Sequence, residues 1–460
     1  MSRCALVVLL LPLVASAAQA EQFRLAPFSA DVTPPLGHQL FTGGAKEATA
    51  VDSPLFAKGF ALLGKETAPL VFVAIDWAEI RNDAYDRWRV ALAEAAGTKR
   101  ERVLVAAVHQ HDTPLADLAA QRLLEAAGSE TQLIDLEFHE RAVQKTATAL
   151  RKALGSAQAV THFGTGQARV AGIASNRRFL NADGTPNYGR YSSGGNLAGR
   201  AAPEGTIDPM LKTISFWNGD TLLAELSSYS THPMSYYGTS RISADFPGLA
   251  RARRQGETPG ALQIYASGAS GNITAGKYNN GKPEMRQVFA DRLYAGMVAA
   301  SKGTVKHPLR GAKYRVAALK LDPRTSAGYT NDEMEKTVRE GKDRARQGQA
   351  AMGLSWRKRI ASGQDIDVPL VDFGAAQLLL LPAEMYVEFQ LYAQALRPKS
   401  FVMVVGYGEC APGYIPIERA WTEHDENLND WSWIAPGMES RVKAAIREVL
   451  SPDRATPDRP

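Results

Sequence analysis

Cysteine is nearly absent from this sequence: the chain has two, Cys4 and Cys410. Cys4 falls in an N-terminal segment that reads as removable, so a mature chain would keep Cys410 alone. It could form no internal disulfide, and its fold must rest on its core. Long apolar runs are scarce as well. Beyond the N-terminus no stretch reaches the roughly eighteen apolar residues of a membrane-spanning helix. Strong charge of one sign is also missing, with a formal net charge of +5. The basic clusters Arg251-Ala252-Arg253-Arg254 and Arg357-Lys358-Arg359 fall in segments of helical character and are expected to be solvated faces. Nothing in this pattern supports nucleic-acid binding. There is no internal repeat, no low-complexity block and no G-x-S-x-G elbow, which removes the serine-hydrolase reading.

The N-terminus carries a recognisable pattern. Arg3 supplies a positive start, residues 5–17 are apolar, and Ala18-Gln19-Ala20 is a small-residue cleavage site. Residues 1–20 are therefore expected to be a secretory signal peptide, with Glu21 as the new terminus and export to a periplasm or the exterior. The rest has the make-up of an ordinary globular protein, with 45% hydrophobic and 22% charged residues. Residues 21–451 are expected to form one large domain, and the polar, proline-containing 452–460 a disordered tail.

Strands and helices alternate along the whole chain. Residues 22–31 read as a strand, and Leu70–Ile75 and Val103–Val108 as strands buried on both faces. Thr213–Trp217 and Leu222–Thr231 form a strand pair around Asn218-Gly219-Asp220. Gln263–Ser267, Gln377–Pro382 and Phe401–Val405 are further strands. Helical periodicity covers 82–96, 130–153, 283–301, 331–362, 384–396 and Glu439–Leu450. The mixture argues for a single α+β or α/β domain, with mixed sheets packed together and flanked by helices, rather than tandem modules.

Polar residues at strand ends, on loops fixed by a rigid sheet, are where sites tend to be built. Of the eight histidines, two form His109-Gln110-His111 after VLVAAV. In an extended segment, residues i and i+2 share a face, so both imidazoles could reach one point. Imidazole is the commonest metal ligand and suits zinc, although H-x-H alone is a weak signal. His232 follows LAELSSYST, and a lone His before Pro is more often structural. Glu384 follows LLLLPA. A carboxylate there needs a partner, and a role in the first turn of a helix is the plain alternative. Tyr414 follows FVMVV, where a tyrosine usually packs. His38, His139, His162 and His307 have no such neighbours and read as surface or core residues. Singly, none of these residues decides the chemistry.

In this order they resemble the N-terminal catalytic domain of the neutral, non-lysosomal ceramidases, from about Phe28 to about Leu450. Ser29-Ala30-Asp31-Val32-Thr33-Pro34-Pro35 is similar to the family's opening A-D-[IV]-T. Val71–Asp76 resembles its first core strand, and Val108-His109-Gln110-His111-Asp112-Thr113-Pro114 stands where the family has T-H-T-H-S-G-P. Ser175-Asn176-Arg177 resembles its N-R-S, and Ile207-Asp208-Pro209 its I-D-P. Thr231-His232-Pro233 through Asp245 resembles its A-T-H-x-x-S…S-x-D block. Ser270-Gly271-Asn272-Ile273-Thr274 resembles its G-[DN]-[VIM]-[ST]-P loop, with Ala275 in place of the proline. Pro382-Ala383-Glu384 matches P-G-E, and Gly413-Tyr414 matches G-Y. Where the family has a second tyrosine after Tyr414, this chain has Glu423-His424-Asp425-Glu426, and His424 or Asp425 is the candidate replacement. The layout is closer to that of the short bacterial ceramidase-like branch, so the family's C-terminal immunoglobulin-like domain is not expected here.

The resemblance implies an amidohydrolase with one zinc per chain, held by His109, His232, Glu384 and Tyr414. His111 would be general base and then acid, its intrinsic pKa of about 6.5 suiting both tasks. Arg177 would bind substrate, and Thr274 or a backbone N–H nearby would bind the oxyanion. Asp76 and Asp245 are expected to orient the histidines. The expected partner is a small-molecule or lipid N-acyl compound, and peripheral membrane contact is compatible with it. An esterase, or a non-catalytic binding protein keeping the fold, are the alternatives. The sequence leaves open the natural substrate, the oligomeric state, and whether residues 331–362 line a lipid groove or pack on the core.

Overall fold

Leu70–Ile75 and Val103–Ala107 are buried along their full length, as continuous apolar runs require when both faces of a strand are covered. They lie parallel, Ile75 beside Ala107, and the helix Asn82–Ala96 makes the crossover between them. In this computed structural model, which describes residues 22–41 and 45–451, the pair ends a sheet ordered Gln158–Val160, Phe23–Asp31, Phe56–Leu63, Leu70–Ile75, Val103–Ala107. The expected signal peptide and tail lie outside the described residues.

A second sheet runs Leu262–Ser267, Thr221–Tyr229, Met210–Asn218, His162–Arg169, Val305–Pro308, and a third Lys313–Leu319, Ile366–Asp372, Ala376–Leu380, Phe401–Val405. Aromatic contacts join all three. The Phe60 and Phe216 rings are 4.8 Å apart, and Phe216 lies 5.9 Å from Phe373. One apolar core therefore lies among the three sheets, each buried Phe contributing about 1.5–3 kcal/mol. Helices Asn82–Ala96 and Leu136–Leu154 cover the first sheet, Glu439–Leu450 lies over the third, and Arg344–Ala361 shares an apolar cluster with it. The result is one mixed α+β domain, as the sequence suggests.

Several boundaries differ from the sequence reading, each for a local reason. The helix expected from 130 begins at Leu136, because Asp135 caps it by accepting from the Phe138 N–H at 2.6 Å. The stretch 331–362 is two helices, Asn331–Glu340 and Arg344–Ala361. A capping box of Thr330 and Glu333 starts the first, and Asp343 caps the second. The helix expected over 384–396 starts at Val387, because Glu384–Met385 pairs as a short parallel strand with Tyr414–Ile415. The basic clusters are not simply solvated faces. Arg251 and Arg254 are buried against Asp76 and Glu225, and Arg359 against Asp86. Only carboxylates brought in from distant parts of the chain make those positions tolerable.

Each of the three sheets contains a parallel pair, and the carboxyl ends of those pairs converge. Chain-to-chain bonds hold the convergence. Ser267 Oγ donates to the Val108 carbonyl, Gly406 N–H to the Ser267 carbonyl, and Ala107 N–H to the Tyr407 carbonyl.

Candidate metal centre

Three side chains meet where the sheets converge. His109 follows Val103–Ala107, His232 follows Thr221–Tyr229, and Glu384 follows Ala376–Leu380. All three are buried, and one ligand atom from each lies within 4.8 Å of the others. His109 Nε2 is 3.2 Å and His232 Nε2 3.0 Å from the same oxygen, Glu384 Oε2. Strand alternation does not aim His109, as the H-x-H spacing suggests. Its φ is +70°, in the left-handed region that histidine visits more readily than most residues. The His109 and His111 rings stand 5.4 Å apart and nearly perpendicular.

Backbone carbonyls, not the expected Asp76 and Asp245, orient the two imidazoles. His109 Nδ1 lies 2.8 Å from the Ala78 carbonyl oxygen. His232 Nδ1 lies 2.7 Å from that of Ser270 and 2.9 Å from that of Ile273. Asp76 is occupied by a bidentate pair with Arg251, and Asp245 by Ser235. A carbonyl only accepts, so each Nδ1 carries a hydrogen, and in the neutral ring each Nε2 presents a lone pair.

That tautomer sets the electrostatics. Burial, then the Arg177 charge, pushes His232 down to about 4, so its ring is neutral near pH 7. Burial also lowers His109, but the Glu384 and Glu79 carboxylates and the Ala78 carbonyl together outweigh it and raise the group. Burial would raise Glu384, yet the two imidazoles hold it well below the usual carboxylate range. A lone pair on His232 facing an ionised carboxylate is unfavourable unless a cation lies between them. Glu384 Oε1 is buried without a partner among the described residues. Two imidazoles and a carboxylate are the donor set of a zinc site with an open position, and these residues fit that ion.

The other expected residues divide. Arg177 Nη1 donates to the Tyr414 hydroxyl at 2.7 Å, and Nη2 lies 3.3 Å from His232 Nε2. Tyr414 thus stands beside the cluster, and burial keeps its phenol above the usual range. His111 joins the same cavity. Its Nδ1 has no partner among the described residues, and burial, with the nearby imidazoles, lowers it well below its ordinary value. Thr274 is not brought in. Its hydroxyl donates to Ser192 Oγ at 2.9 Å and accepts from the Gly276 N–H, and it does not line the cavity. At the place of the expected second tyrosine, His424 is exposed and Asp425 buried. Asp425 accepts from the Tyr386 hydroxyl and from Asn427, whose Oδ1 accepts from Arg177.

The cluster lines a cavity of about 500 Å³. Phe41, Leu115, Leu133, Met352 and Trp431 form its apolar wall, and Arg344, Glu426 and Asp430 are polar lining residues. The helix Arg344–Ala361 gives Ala345, Gly348, Gln349 and Met352 to the cavity while Ala351 and Trp356 pack inward. That segment therefore both lines the cavity and packs on the core. His38 and His139 are core residues, and His162 and His307 are half-buried.

Neutral ceramidase from Pseudomonas aeruginosa superposes on this structure with a TM-score of 0.67, covering 93% of this chain and 74% of that one at 16% identity. The chain has the neutral-ceramidase fold. A ceramidase complexed with C2 gives a TM-score of 0.66 over the same shares of the two chains, also at 16% identity. No family model and no curated protein matches the sequence. At this identity the neutral-ceramidase likeness establishes the architecture, and the chemistry must be argued from the side chains themselves.

Two groups at the centre escaped the sequence reading. Tyr407 stacks on His109 with ring centroids 4.3 Å apart. Glu79, fully buried beside Arg81 at 2.6 Å, accepts from the indole of Trp431. The first turn after FVMVV gives no sign of Tyr407's role, because its partners lie far away in sequence.

Proposed function

We propose that this protein is an exported zinc-dependent hydrolase that cleaves the amide bond of an N-acyl compound. The observation that carries this reading is the meeting of two imidazole Nε2 atoms and one ionised carboxylate in the lining of a cavity with an apolar wall. His109, His232 and Glu384 would hold the ion, with Tyr414 beside them. Zinc in such a site polarises a carbonyl and makes water acidic near neutral pH.

The chain's own groups supply the rest. His111 is neutral near pH 7 and lines the cavity, so it can take a proton from water and return it to the departing amine nitrogen. Water adds its oxygen to the acyl carbon, the C–N bond breaks, and a carboxylic acid and an amine leave. Arg177, held by Asn427, keeps its positive charge and faces the same space, where it can pair with a substrate oxygen. Tyr414 accepts from Arg177, so its own O–H proton remains available to a substrate oxygen. The apolar wall suits the acyl chain. The neutral-ceramidase fold, and a ceramidase complexed with C2 among its neighbours, support a lipid amide as the first class to test. No described helix is long and apolar enough to cross a membrane. Peripheral contact with a membrane surface would bring such a substrate to the cavity.

The test is the metal content of purified chain beside His232→Ala. About one zinc per chain, lost in the variant with its circular dichroism unchanged, is the expected result. Paired amide and ester substrates with one acyl group then separate amidase from esterase. A chain that takes up no zinc when zinc is supplied would leave only the fold and favour a binding protein.

A further inference from the structure

Tyr407 touches the chain just before His109 and just before Glu384, and reaches His232 through Ser270. Its N–H donates to the carbonyl of Ala383, the residue before Glu384, at 3.2 Å. Its carbonyl accepts from Ala107, two residues before His109, at 2.9 Å. Its ring lies flat on His109, with the planes 18° apart. Its hydroxyl is 2.7 Å from Ser270 Oγ, and the Ser270 carbonyl is an acceptor for His232 Nδ1. No other residue described above reaches all three.

The backbone at Tyr407 argues that the side chain is there for a purpose. Its φ is +56°, a region where a bulky side chain is an outlier and glycine is the default. Glycines already flank it at Gly406 and Gly408, and a Cβ on Gly406 would come within 2.8 Å of the Gly268 carbonyl oxygen. A bulky residue kept in such a conformation points to a site that the surroundings over-determine.

We propose that Tyr407 is a positioning residue that sets the separation and ring orientation of the two imidazoles, and through them the zinc affinity of the centre. This rests on the zinc reading given above. Tyr407 touches no substrate and donates nothing to the metal. It clamps the His109 ring from its flat side. Through Ser270 it also fixes the carbonyl that holds His232 in the Nδ1–H tautomer. Removing groups that orient metal ligands commonly weakens binding about 10–100-fold.

Zinc dissociation constants would be measured by chelator competition on the full chain and on Tyr407→Phe, Tyr407→Leu and Ser270→Ala. The visible spectrum of the cobalt(II)-loaded forms reports ligand geometry independently of activity. Tyr407→Phe keeps the ring and loses the hydroxyl, so affinity should fall about tenfold with an altered cobalt spectrum. Tyr407→Leu loses the stack as well and should fall further, toward about a hundredfold. The Tyr407→Phe/Ser270→Ala double variant should bind no more weakly than the worse single one, because both break one link. Tyr265→Phe, a buried tyrosine whose hydroxyl donates to the Tyr229 carbonyl and touches no ligand residue, controls for lost core polarity and should leave affinity and spectrum unchanged. Wild-type zinc binding with unchanged affinity and spectrum in Tyr407→Phe and Ser270→Ala would overturn the proposal. Should Tyr407→Leu fail to fold, those two variants still decide it. No zinc binding by the unsubstituted chain would overturn the zinc reading itself, and this one with it.

Discussion

Replacing Asp76 by alanine should cost the fold far more than it costs metal binding. Asp76 is fully buried. Its two oxygens accept from Arg251 at 2.7 and 2.6 Å, from the Phe56 N–H at 2.8 Å and from Gln110 at 3.2 Å. The variant strands Arg251, itself 3% exposed, as a buried charge without its partner. Breaking a buried pair from one side costs about 3–5 kcal/mol. With about 2.1 cal/mol/K of unfolding entropy per residue, a chain of 460 residues gains about 1 kcal/mol/K on unfolding. The midpoint in calorimetry should therefore fall by about 3–5 °C. Zinc affinity should lose less than the about 10-fold expected when a ligand-orienting group is removed, because carbonyls of Ala78, Ser270 and Ile273 hold the imidazoles. Adding Arg251→Leu should recover part of the loss. An unchanged midpoint together with a tenfold or greater loss of zinc affinity would refute the reasoning and restore Asp76 as an orienting group.

Three further outcomes can be checked. His139 is buried, and burial pushes it down to about 4. The unfolded chain takes up that proton below about pH 6.5 and the folded chain resists it, so stability should fall by up to about 3 kcal/mol as pH drops from 6.5 toward 4. His139→Leu should flatten that part of the midpoint-versus-pH curve, and an unchanged slope would sink the assignment. A Cβ on Gly271 would lie 2.1 Å from the Glu384 carbonyl oxygen, whereas Gly260 has nothing within 4 Å. Gly271→Ala should lower both zinc affinity and the thermal midpoint while Gly260→Ala leaves affinity alone; equal affinities would show that the loop can retreat at no cost. Stripping zinc with a chelator should lower stability by about 2.7 kcal/mol relative to chain held at a hundredfold excess of zinc over Kd, and the thermal midpoint by about 3 °C. The same treatment should not move His232→Ala, and equal shifts in both chains would place the metal elsewhere.

Much of the frame was legible because its signals are local. VLVAA and LVFVAI are apolar at every position, which only a strand covered on both faces tolerates in water. The helices Asn82–Ala96 and Glu439–Leu450 match their expected bounds. Caps moved other boundaries, as at Asp135 and Asp343, where a side chain competes with propensity. His109, His232 and Glu384 could be nominated because each ends an apolar run. Their meeting could not be derived from spacing, since His232 and Glu384 stand 152 residues apart.

The groups that tune the centre were not legible at all. Asp76 pairs with Arg251 across 175 positions and Ser270 with Tyr407 across 137, and no periodicity reports such partners. By itself the sequence determined which segments must be buried, which residue types could serve a metal, and the resemblance in which they stand in order. Tertiary structure alone decided that carbonyls rather than carboxylates orient the imidazoles, that Thr274 faces Ser192 instead of the cavity, and that Tyr407 joins the ligand-bearing strands. The physical reason is that burial is a property of each segment's own composition. Orientation depends on donors and acceptors that reach one point only after three sheets have packed.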